Sequence, residues 1–319
     1  MTTAPHPQDE LVERAAALDK WALGRLVRVF EDARRESIDA RAAALRRLDE
    51  LGCRPQAALY GFTGTPGAGK STLVGELASR IVARDDAASV AVLAVDPTSY
   101  RSGGAMLGDR TRVRFPLDEP RLFFRSQASE GELGGIGRGT YQVVRLLERL
   151  FRHVVIETVG IGQSEVEIER LADRVYLVLQ PMAGDQVQFM KAGIMEVPHV
   201  FVLNKADAGD AARQSYHALK ASIDFARPGE SQPPPIIRTS AITGEGVDEL
   251  MEDLLRHSNR SAPGTVHGRE RYFFEKWVRE EYGRLGLSVL EAQGGAEALL
   301  QQGGSFEEAQ ARYRPPAAP

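Results

Sequence analysis

One octapeptide constrains this chain more than any other stretch. Residues 64–71 read Gly-Thr-Pro-Gly-Ala-Gly-Lys-Ser and match the pattern G-x-x-x-x-G-K-[ST] at every fixed position. The apolar run 57–62 before it predicts a buried strand, and residues 72–82 after it carry apolar side chains at helical spacing. Strand, glycine-rich loop and helix in this order predict a P-loop, in which backbone N–H groups and a helix N-terminus surround phosphate oxygens.

The P-loop prediction gives a role to each polar residue of the motif. Lys70 is expected to reach the β- and γ-phosphates of a nucleotide, and the Ser71 hydroxyl is expected to bind Mg²⁺. The glycines allow the backbone to approach the phosphates closely. The predicted nucleotide-binding residues of the loop are Gly64, Pro66, Gly67, Ala68, Gly69, Lys70 and Ser71.

Length, composition and charge narrow the class of protein. The 319 residues allow one large α/β domain with additions, or two domains, and 43% apolar and 26% charged residues are ordinary for a chain with a real core. The net charge of −4 argues against nucleic acid as a partner bound through general basicity. The single cysteine, Cys53, excludes an internal disulfide framework and a multi-cysteine metal cluster.

Two further features of the sequence lead us to expect a cytoplasmic protein that does not bind a membrane. No run approaches the roughly 18 consecutive apolar residues of a membrane-spanning helix. The N-terminus lacks the basic and then apolar form of a signal peptide, because the acidic residues Asp9 and Glu10 follow within the first ten positions.

The chain divides into three predicted segments. A cluster of Asn, Arg, Ser, Pro and Gly at 259–268 is typical of a linker. The predicted segments are an N-terminal helical extension at 1–52, a P-loop nucleotide-binding domain at 53–258 and a C-terminal helical arm at 259–319.

Both terminal segments are predicted to be helical. Residues 8–50 read as wholly helical, with apolar side chains following helical spacing from Leu11 to Val29 and Trp21 widening the apolar stripe. A second helix is expected at about 37–51. Beyond the linker, residues 269–285 predict a charged amphipathic helix, whose aromatic residues are expected to pack on the P-loop domain or on a second subunit.

Acidic residues follow two of the predicted strands. Strand 89–95 ends in Asp96, and strand 153–156 ends in Glu157. Ligands bind at the carboxyl ends of strands in open α/β sheets, so both acids are candidates for the Mg²⁺ shell, although Asp96 could instead cap a turn. Glu157 is one methylene longer than the usual Asp, which favours a contact with the metal through water.

Nearby residues complete the predicted phosphate end of the site. Gly160 would let the backbone approach the γ-phosphate and hinge when that phosphate leaves. Gln163 lies where a side chain could orient an attacking water or make a plain polar contact. Asp109 lies in the long polar loop 102–112 and could join the metal shell, since long loops beside a nucleotide site are often switches.

A second motif predicts which base is bound. A predicted strand ends at residue 203 and is followed by Asn-Lys-Ala-Asp, the N-K-x-D pattern. The Asp207 carboxylate would accept hydrogen bonds from N1–H and N2–H₂ of guanine, groups that adenine does not present equivalently. The aliphatic stem of Lys205 would lie over the base, and Asn204 would connect neighbouring loops by hydrogen bonds. Ser240 and Ala241 follow the last predicted strand and would pack against the base.

Taken together, these motifs resemble those of one known family, the MeaB/ArgK-type G proteins, also called methylmalonyl-CoA-mutase-associated GTPases. The resemblance covers most of residues 8–285 and implies the SIMIBI class of P-loop NTPases. The implied fold is α/β, with a mostly parallel central sheet flanked by helices and with N-terminal and C-terminal helical extensions. The stretches that carry the resemblance are 61–72, 96–99, 102–112, 157–164, 183–196 and 204–207.

The resemblance implies a function as well as a fold. Proteins of this family are GTP-hydrolysing chaperones of adenosylcobalamin-dependent acyl-CoA mutases, which gate cofactor loading and protect or reactivate the mutase. GTP or GDP with Mg²⁺ are therefore the implied ligands. The implied partners are an acyl-CoA mutase and a second copy of this chain, joined through the C-terminal arm.

The resemblance also assigns residues. Lys70, Ser71 and Thr72 would hold phosphate and metal. Asp96 and Asp109 resemble Mg²⁺-shell acids, and Glu157 resembles a metal-linked glutamate. Lys191 lies in a segment similar to a third switch, the element that contacts the mutase. The predicted catalytic residues are Lys70, Glu157, Gln163 and Lys191, and the predicted metal-binding residues are Ser71, Asp96, Asp109 and Glu157.

Two departures from the family leave the partner open. The third-switch segment reads Gly-Asp-Gln-Val-Gln-Phe-Met-Lys, whereas many members have Gly-Asp-Glu-Leu-Gln-Gly-Ile-Lys. The C-terminal arm is also less typical of the family after Leu285. The partner could be a methylmalonyl-CoA mutase or a relative acting on isobutyryl-, 2-hydroxyisobutyryl- or ethylmalonyl-type thioesters.

Two other functions fit the sequence less well. A metal-delivery GTPase of the nickel-insertase kind needs clusters of His and Cys, but the six His residues here are scattered and there is one Cys. A transport-coupled ATPase or kinase would bind ATP, and adenine would not satisfy the Asp207 carboxylate.

Overall fold

The computed structural model describes residues 7–32, 34–96, 116, 118–128, 136, 138–158, 164–181, 194–258 and 263–316. The chain splits into two compact units. The first, which we call the helical unit, consists of Met1–Pro55, Tyr141–Leu150 and Ser261–Pro319. The second, which we call the sheet unit, consists of Gln56–Thr140 and Phe151–Arg260.

The strands and several helices lie in the middle of the chain, and the described residues near its two ends form further helices. The strands are β1 (Ala58–Gly64), β2 (Val90–Asp96), β3 (Leu122–Ala128), β4 (His153–Thr158), β5 (Arg174–Leu179), β6 (Val200–Leu203) and β7 (Ile236–Arg238). The described helices are α1 (Pro7–Ala16), α2 (Lys20–Glu31), α3 (Ser37–Glu50), α4 (Lys70–Arg84), α5 (Arg138–Leu150), α6 (Ser164–Leu171), α7 (Asp210–Ala226), α8 (Val247–Arg256), α9 (Pro263–Ala292), α10 (Gly295–Gly303) and α11 (Phe306–Arg312).

The sheet unit is built on one sheet in the order β3-β2-β4-β1-β5-β6-β7. Every pairing within it is parallel. All residues of β1, β2, β4 and β6 are buried, as expected for strands covered by helices on both faces. The predicted α/β fold with a parallel central sheet and terminal helices is confirmed.

The helix after the P-loop packs on the central strands. Leu73, Leu77 and Ile81 of α4 are buried, and they belong to one apolar cluster with Tyr60 and Phe62 of β1. Burying side chains of this size stabilises the fold by about 1.5–3 kcal/mol each. The cluster therefore fixes the start of α4 against the carboxyl end of β1, where the phosphate loop lies.

The predicted continuous helix near the N-terminus is wrong, because the chain breaks between α1 and α2. Leu18 adopts the left-handed conformation with φ of 60°. Asp19 then caps α2, since its carboxylate accepts a hydrogen bond of 2.9 Å from the backbone N–H of Ala22. Apolar spacing continues across the break, so periodicity alone did not reveal it.

Trp21 does not widen the buried stripe of α2 as predicted. Its side chain is 59% exposed. The guanidinium groups of Arg14 and Arg25 lie over its ring at 5.0 and 5.4 Å from the centroid. Cation–π contacts of this kind allow an indole to stay at the surface.

The aromatic residues of α9 pack within this chain. Phe273 stacks on Tyr141 of α5 with ring centroids 4.3 Å apart, and Phe274 contacts Phe306 of α11 at 5.5 Å. The helix is longer than the predicted 269–285, and it kinks at Gly283, whose φ is 64°. None of the described helices combines the length and the apolar character that crossing a membrane requires.

Candidate nucleotide-binding site

The loop between β1 and α4 has a shape that depends on its glycines. Gly64, Gly67 and Gly69 all have positive φ, at 141°, 78° and 83°. A Cβ at Gly64 would overlap the carbonyl oxygen of Val178, and one at Gly69 would lie 2.7 Å from Nδ2 of Asn204. Side chains at these positions would both strain the backbone and displace its neighbours, so the sequence folds this loop as a tight backbone cradle.

Lys70 and Ser71 open α4 and point their polar groups into the loop region. Lys70 is only 6% exposed, and its Nζ donates hydrogen bonds to the carbonyl oxygens of Gly64 (2.8 Å) and Thr65 (3.0 Å). The Ser71 hydroxyl donates to Oε1 of Glu157 at 2.7 Å. The P-loop cation is therefore held at the loop itself, and the P-loop hydroxyl contacts the acid near the end of β4.

The two predicted acids lie on neighbouring strands. Asp96 ends β2 and Glu157 is the penultimate residue of β4, and both are at most 2% exposed. The strands pair directly, with Val95 opposite Thr158. Ser126 on β3 donates a hydrogen bond of 2.6 Å to Asp96. Buried carboxylates and a hydroxyl are the oxygen ligands that Mg²⁺ prefers, so Ser71, Asp96 and Glu157 fit such an ion.

Asn204 joins three loops at the carboxyl edge of the sheet. It is 1% exposed, and its Nδ2 donates to the P-loop carbonyl of Ala68 at 2.7 Å. Its Oδ1 accepts from the Thr239 hydroxyl at 3.1 Å and from the Ala241 backbone N–H at 3.2 Å. The phosphate loop, the loop after β6 and the loop after β7 thus share one buried amide.

The remaining residues of the predicted base end lie around Asn204. Lys205 has a left-handed backbone (φ 60°) and is exposed, and Asp207 is exposed within the short turn Ala206–Ala208. Ser240 is buried, and its hydroxyl accepts a hydrogen bond of 3.2 Å from the backbone N–H of Thr243. Ala241 is half-buried. The exposed lysine and aspartate are accessible to a ligand, whereas Ser240 is buried in the loop after β7.

Four predicted site residues, Asp109, Gly160, Gln163 and Lys191, lie outside the described residues.

Two residues that the sequence did not single out belong to the site. The sequence did not reveal Ser126 because the apolar run at 122–124 indicates only a short strand, whereas β3 continues to Ala128. Gln180 follows β5, and its Oε1 accepts a hydrogen bond of 2.6 Å from Nζ of Lys205. A polar residue directly after an apolar strand was the available signal for Gln180.

We expect Asn204→Ala to weaken GDP binding by about tenfold or more and to lower the free energy of unfolding by about 1–3 kcal/mol. Both effects follow because buried groups of Ala68, Thr239 and Ala241 lose their partner. Calorimetric titration with GDP and urea unfolding measure the two effects. Gln214→Ala, at an exposed position of α7, is the matched control. Unchanged GDP affinity in Asn204→Ala would contradict the importance of this amide.

Known proteins resemble the chain in sequence. A Pyrococcus horikoshii protein named as a GTPase is 40% identical over 255 residues, which are 79% of this chain and 78% of that protein. A mitochondrial methylmalonic aciduria type A homolog of Caenorhabditis elegans is 34% identical over 224 residues, which are 68% of this chain and 56% of that protein.

Solved structures share the fold at low sequence identity. The crystal structure of LAO/AO transport system kinase has a TM-score of 0.62 and 22% identity, and the match covers 94% of this chain and 92% of that one. HypB from Helicobacter pylori, in complex with nickel, has a TM-score of 0.50 and 16% identity over 70% of this chain and 98% of its own. At these identities the likeness concerns the fold alone.

The family model described as methylmalonyl Co-A mutase-associated GTPase MeaB matches residues 23–284. This range spans the phosphate loop, both buried acids, the N-K-x-D loop and most of α9. The chain therefore belongs to the MeaB family of methylmalonyl-CoA mutase-associated GTPases, and it is a GTPase.

Proposed function

We propose that this chain is a GTP-driven chaperone of an adenosylcobalamin-dependent acyl-CoA mutase. GTP with Mg²⁺ binds at the carboxyl edge of the sheet, and the state of the nucleotide controls cofactor loading and the protection or reactivation of the mutase. The family match over residues 23–284 supports the mutase as the partner. The C. elegans relative, named after methylmalonic aciduria, points to the same metabolism.

The proposed nucleotide-dependent switch rests on the contact between Ser71 and Glu157. A hydroxyl that would bind Mg²⁺ already touches a buried carboxylate at 2.7 Å. Glu157 precedes Gly160 by three positions in the chain. Binding or loss of a metal-bound γ-phosphate would therefore change the conformation of the residues that follow β4, as in other P-loop switches.

Roles for the other residues follow from their positions. Lys70 would neutralise phosphate charge, and Asp96 would complete the metal shell from β2. Asp207 would accept from the guanine edge, and Lys205 would cover the base. The roles of Asp109, Gln163 and Lys191 in the metal shell, water activation and the mutase contact remain part of the proposal on sequence grounds.

A homodimer joined through the C-terminal helices is also part of the proposal. Leu285, just beyond the kink of α9, is 62% exposed, and an apolar side chain there is available for a contact with a second copy. A nickel-delivery role is not proposed, because the described residues contain no group of three His, Cys, Asp or Glu that could hold a metal ion. The likeness to HypB concerns the fold alone.

The chaperone proposal is tested by measuring GTP hydrolysis with and without a purified acyl-CoA mutase from the same organism. We expect one mutase to raise the rate by at least about tenfold, because partners commonly order or complete P-loop GTPase sites. The same mutase should lose activity more slowly during turnover when the chain and GTP are present. Lys70→Ala protein is the matched control for both readouts.

Two outcomes would separate the parts of this proposal. If none of the mutases changes the GTPase rate, and the chain protects none of them, the chaperone role is wrong while the GTPase assignment stands. If the Lys70→Ala protein protects as well as the wild type, protection does not depend on the nucleotide.

A further inference from the structure

The strand order places one residue between the two ends of the nucleotide site. β5 lies between β1, which leads into the P-loop, and β6, which leads into the N-K-x-D loop. The backbone N–H of Asn204 donates to the carbonyl of Leu179, the last residue of β5, at 2.9 Å. Gln180 follows directly, so the topology brings its side chain between the phosphate loop and the base loop.

The side chain of Gln180 spans that gap. Its Oε1 accepts a hydrogen bond of 2.6 Å from Nζ of Lys205. On the other side, a Cβ at Gly67 would lie 3.8 Å from Nε2 of Gln180, an ordinary van der Waals distance. Gln180 therefore contacts the residue expected to cover the base and also lies against the outer turn of the P-loop.

Two features of Lys205 make a hydrogen bond that fixes its side chain favourable for ligand binding. A lysine side chain has many rotamers, and this conformational freedom must be lost when its stem is fixed over a base. Lys205 also holds a left-handed backbone conformation that is unusual for a residue other than glycine. An acceptor that fixes its ammonium group in advance lowers the entropy lost on binding, which is the general effect of preorganisation.

We propose that Gln180 is a positioning residue for guanine, which acts by holding Lys205 in place to cover the base. This inference rests on the proposed guanine site, and it adds the residue that directly follows β5, a strand that leads into neither the P-loop nor the N-K-x-D loop. Gln180 contributes to the affinity for the nucleoside part of the ligand and not to phosphate binding or to the chemical step.

The test uses two substitutions in the full chain. Gln180→Leu removes the acceptor with little change in size, and Gln180→Glu keeps an acceptor oxygen for the Lys205 ammonium. We expect Gln180→Leu to bind GDP about three- to tenfold more weakly and to raise KM for GTP with kcat unchanged, as for the loss of a charge-assisted hydrogen bond. Gln180→Glu should stay within about twofold of the wild type.

Two controls show where Gln180 acts. Inorganic tripolyphosphate, which has no base, should bind Gln180→Leu and wild-type protein equally, and its binding also shows that the variant is folded. In a Lys205→Met background, Gln180→Leu should cause no further loss of GDP affinity, because coupled residues give non-additive effects.

Each contrary result has a distinct meaning. Wild-type GDP affinity in Gln180→Leu would make the Lys205 contact a plain surface hydrogen bond and overturn the inference. Weakened tripolyphosphate binding would place the effect of Gln180 at the P-loop and also overturn it. If the wild-type protein binds ADP as tightly as GDP, the proposed guanine site itself is wrong.

Discussion

Replacing Lys70 with alanine is expected to lower GTP affinity by about a hundredfold or more and to leave no measurable GTP hydrolysis. The ammonium group is buried at the P-loop, where it donates hydrogen bonds to the carbonyl oxygens of Gly64 and Thr65, so it lies at the loop that is expected to bind phosphate. A charged hydrogen bond to phosphate in a buried site is among the strongest single contacts a protein makes. Nucleotide titration and phosphate release measure the two effects.

The fold should survive this substitution. The carbonyl oxygens of Gly64 and Thr65 that accept from Lys70 are uncharged, so the loss of these two hydrogen bonds leaves no unpaired charge at either of them. Thermal unfolding of the Lys70→Ala protein without nucleotide should therefore stay close to that of the wild type. Lys220→Ala, at an exposed position of α7, is the matched control and should hydrolyse GTP normally. Normal turnover by Lys70→Ala would show that residues 64–71 are not the phosphate site.

Replacing Asp207 with asparagine is expected to change the base that the protein prefers from guanine to xanthine. The Asp207 carboxylate would accept two hydrogen bonds from the guanine edge, whereas an asparagine amide would direct N–H groups at those donors. Xanthine carries an oxygen at C2, which can accept from the amide. We expect GTP affinity to fall by about a hundredfold or more and XTP affinity to rise above it, since leaving polar groups unpaired is costly.

A nearby aspartate provides the control for this change. Asp210 lies three positions further on at the start of α7, and its carboxylate is 79% exposed and paired with Arg213. Asp210→Asn should leave the base preference unchanged. The base preference is measured by competition between GTP and XTP for binding to each variant and to the wild type. An unaltered preference in Asp207→Asn would mean that this carboxylate does not read the base.

The parts of the site that the sequence predicted are those encoded by short contiguous motifs. The P-loop and the N-K-x-D loop each follow a buried strand, and local geometry determines how such a loop is built. Asp96 and Glu157 could be placed near one another because strands in a parallel sheet end at a common edge. In the two loops the chemistry is carried by a few neighbouring residues of the sequence, whereas the two acids are placed by the ends of their strands.

The residues that the sequence did not reveal depend on contacts between strands. Ser126 contacts Asp96 because β3 and β2 pair over seven residues, which the short predicted strand did not suggest. Gln180 contacts Lys205 because β5 and β6 are neighbours, and strand order is not visible in a sequence. The helices α6 and α7 were not predicted, and the break at Leu18 was hidden by continuous apolar spacing.

One measurement tests the nucleotide, the base and the metal together: the rate of phosphate release from GTP and from ATP by the purified chain, with Mg²⁺ and with Mg²⁺ removed by EDTA. We expect hydrolysis of GTP that requires Mg²⁺, with kcat/KM for ATP lower by at least about a hundredfold because adenine leaves the Asp207 carboxylate unpaired. Equal hydrolysis of both nucleotides, or hydrolysis of GTP that continues in EDTA, would show that the proposed guanine and metal sites are wrong.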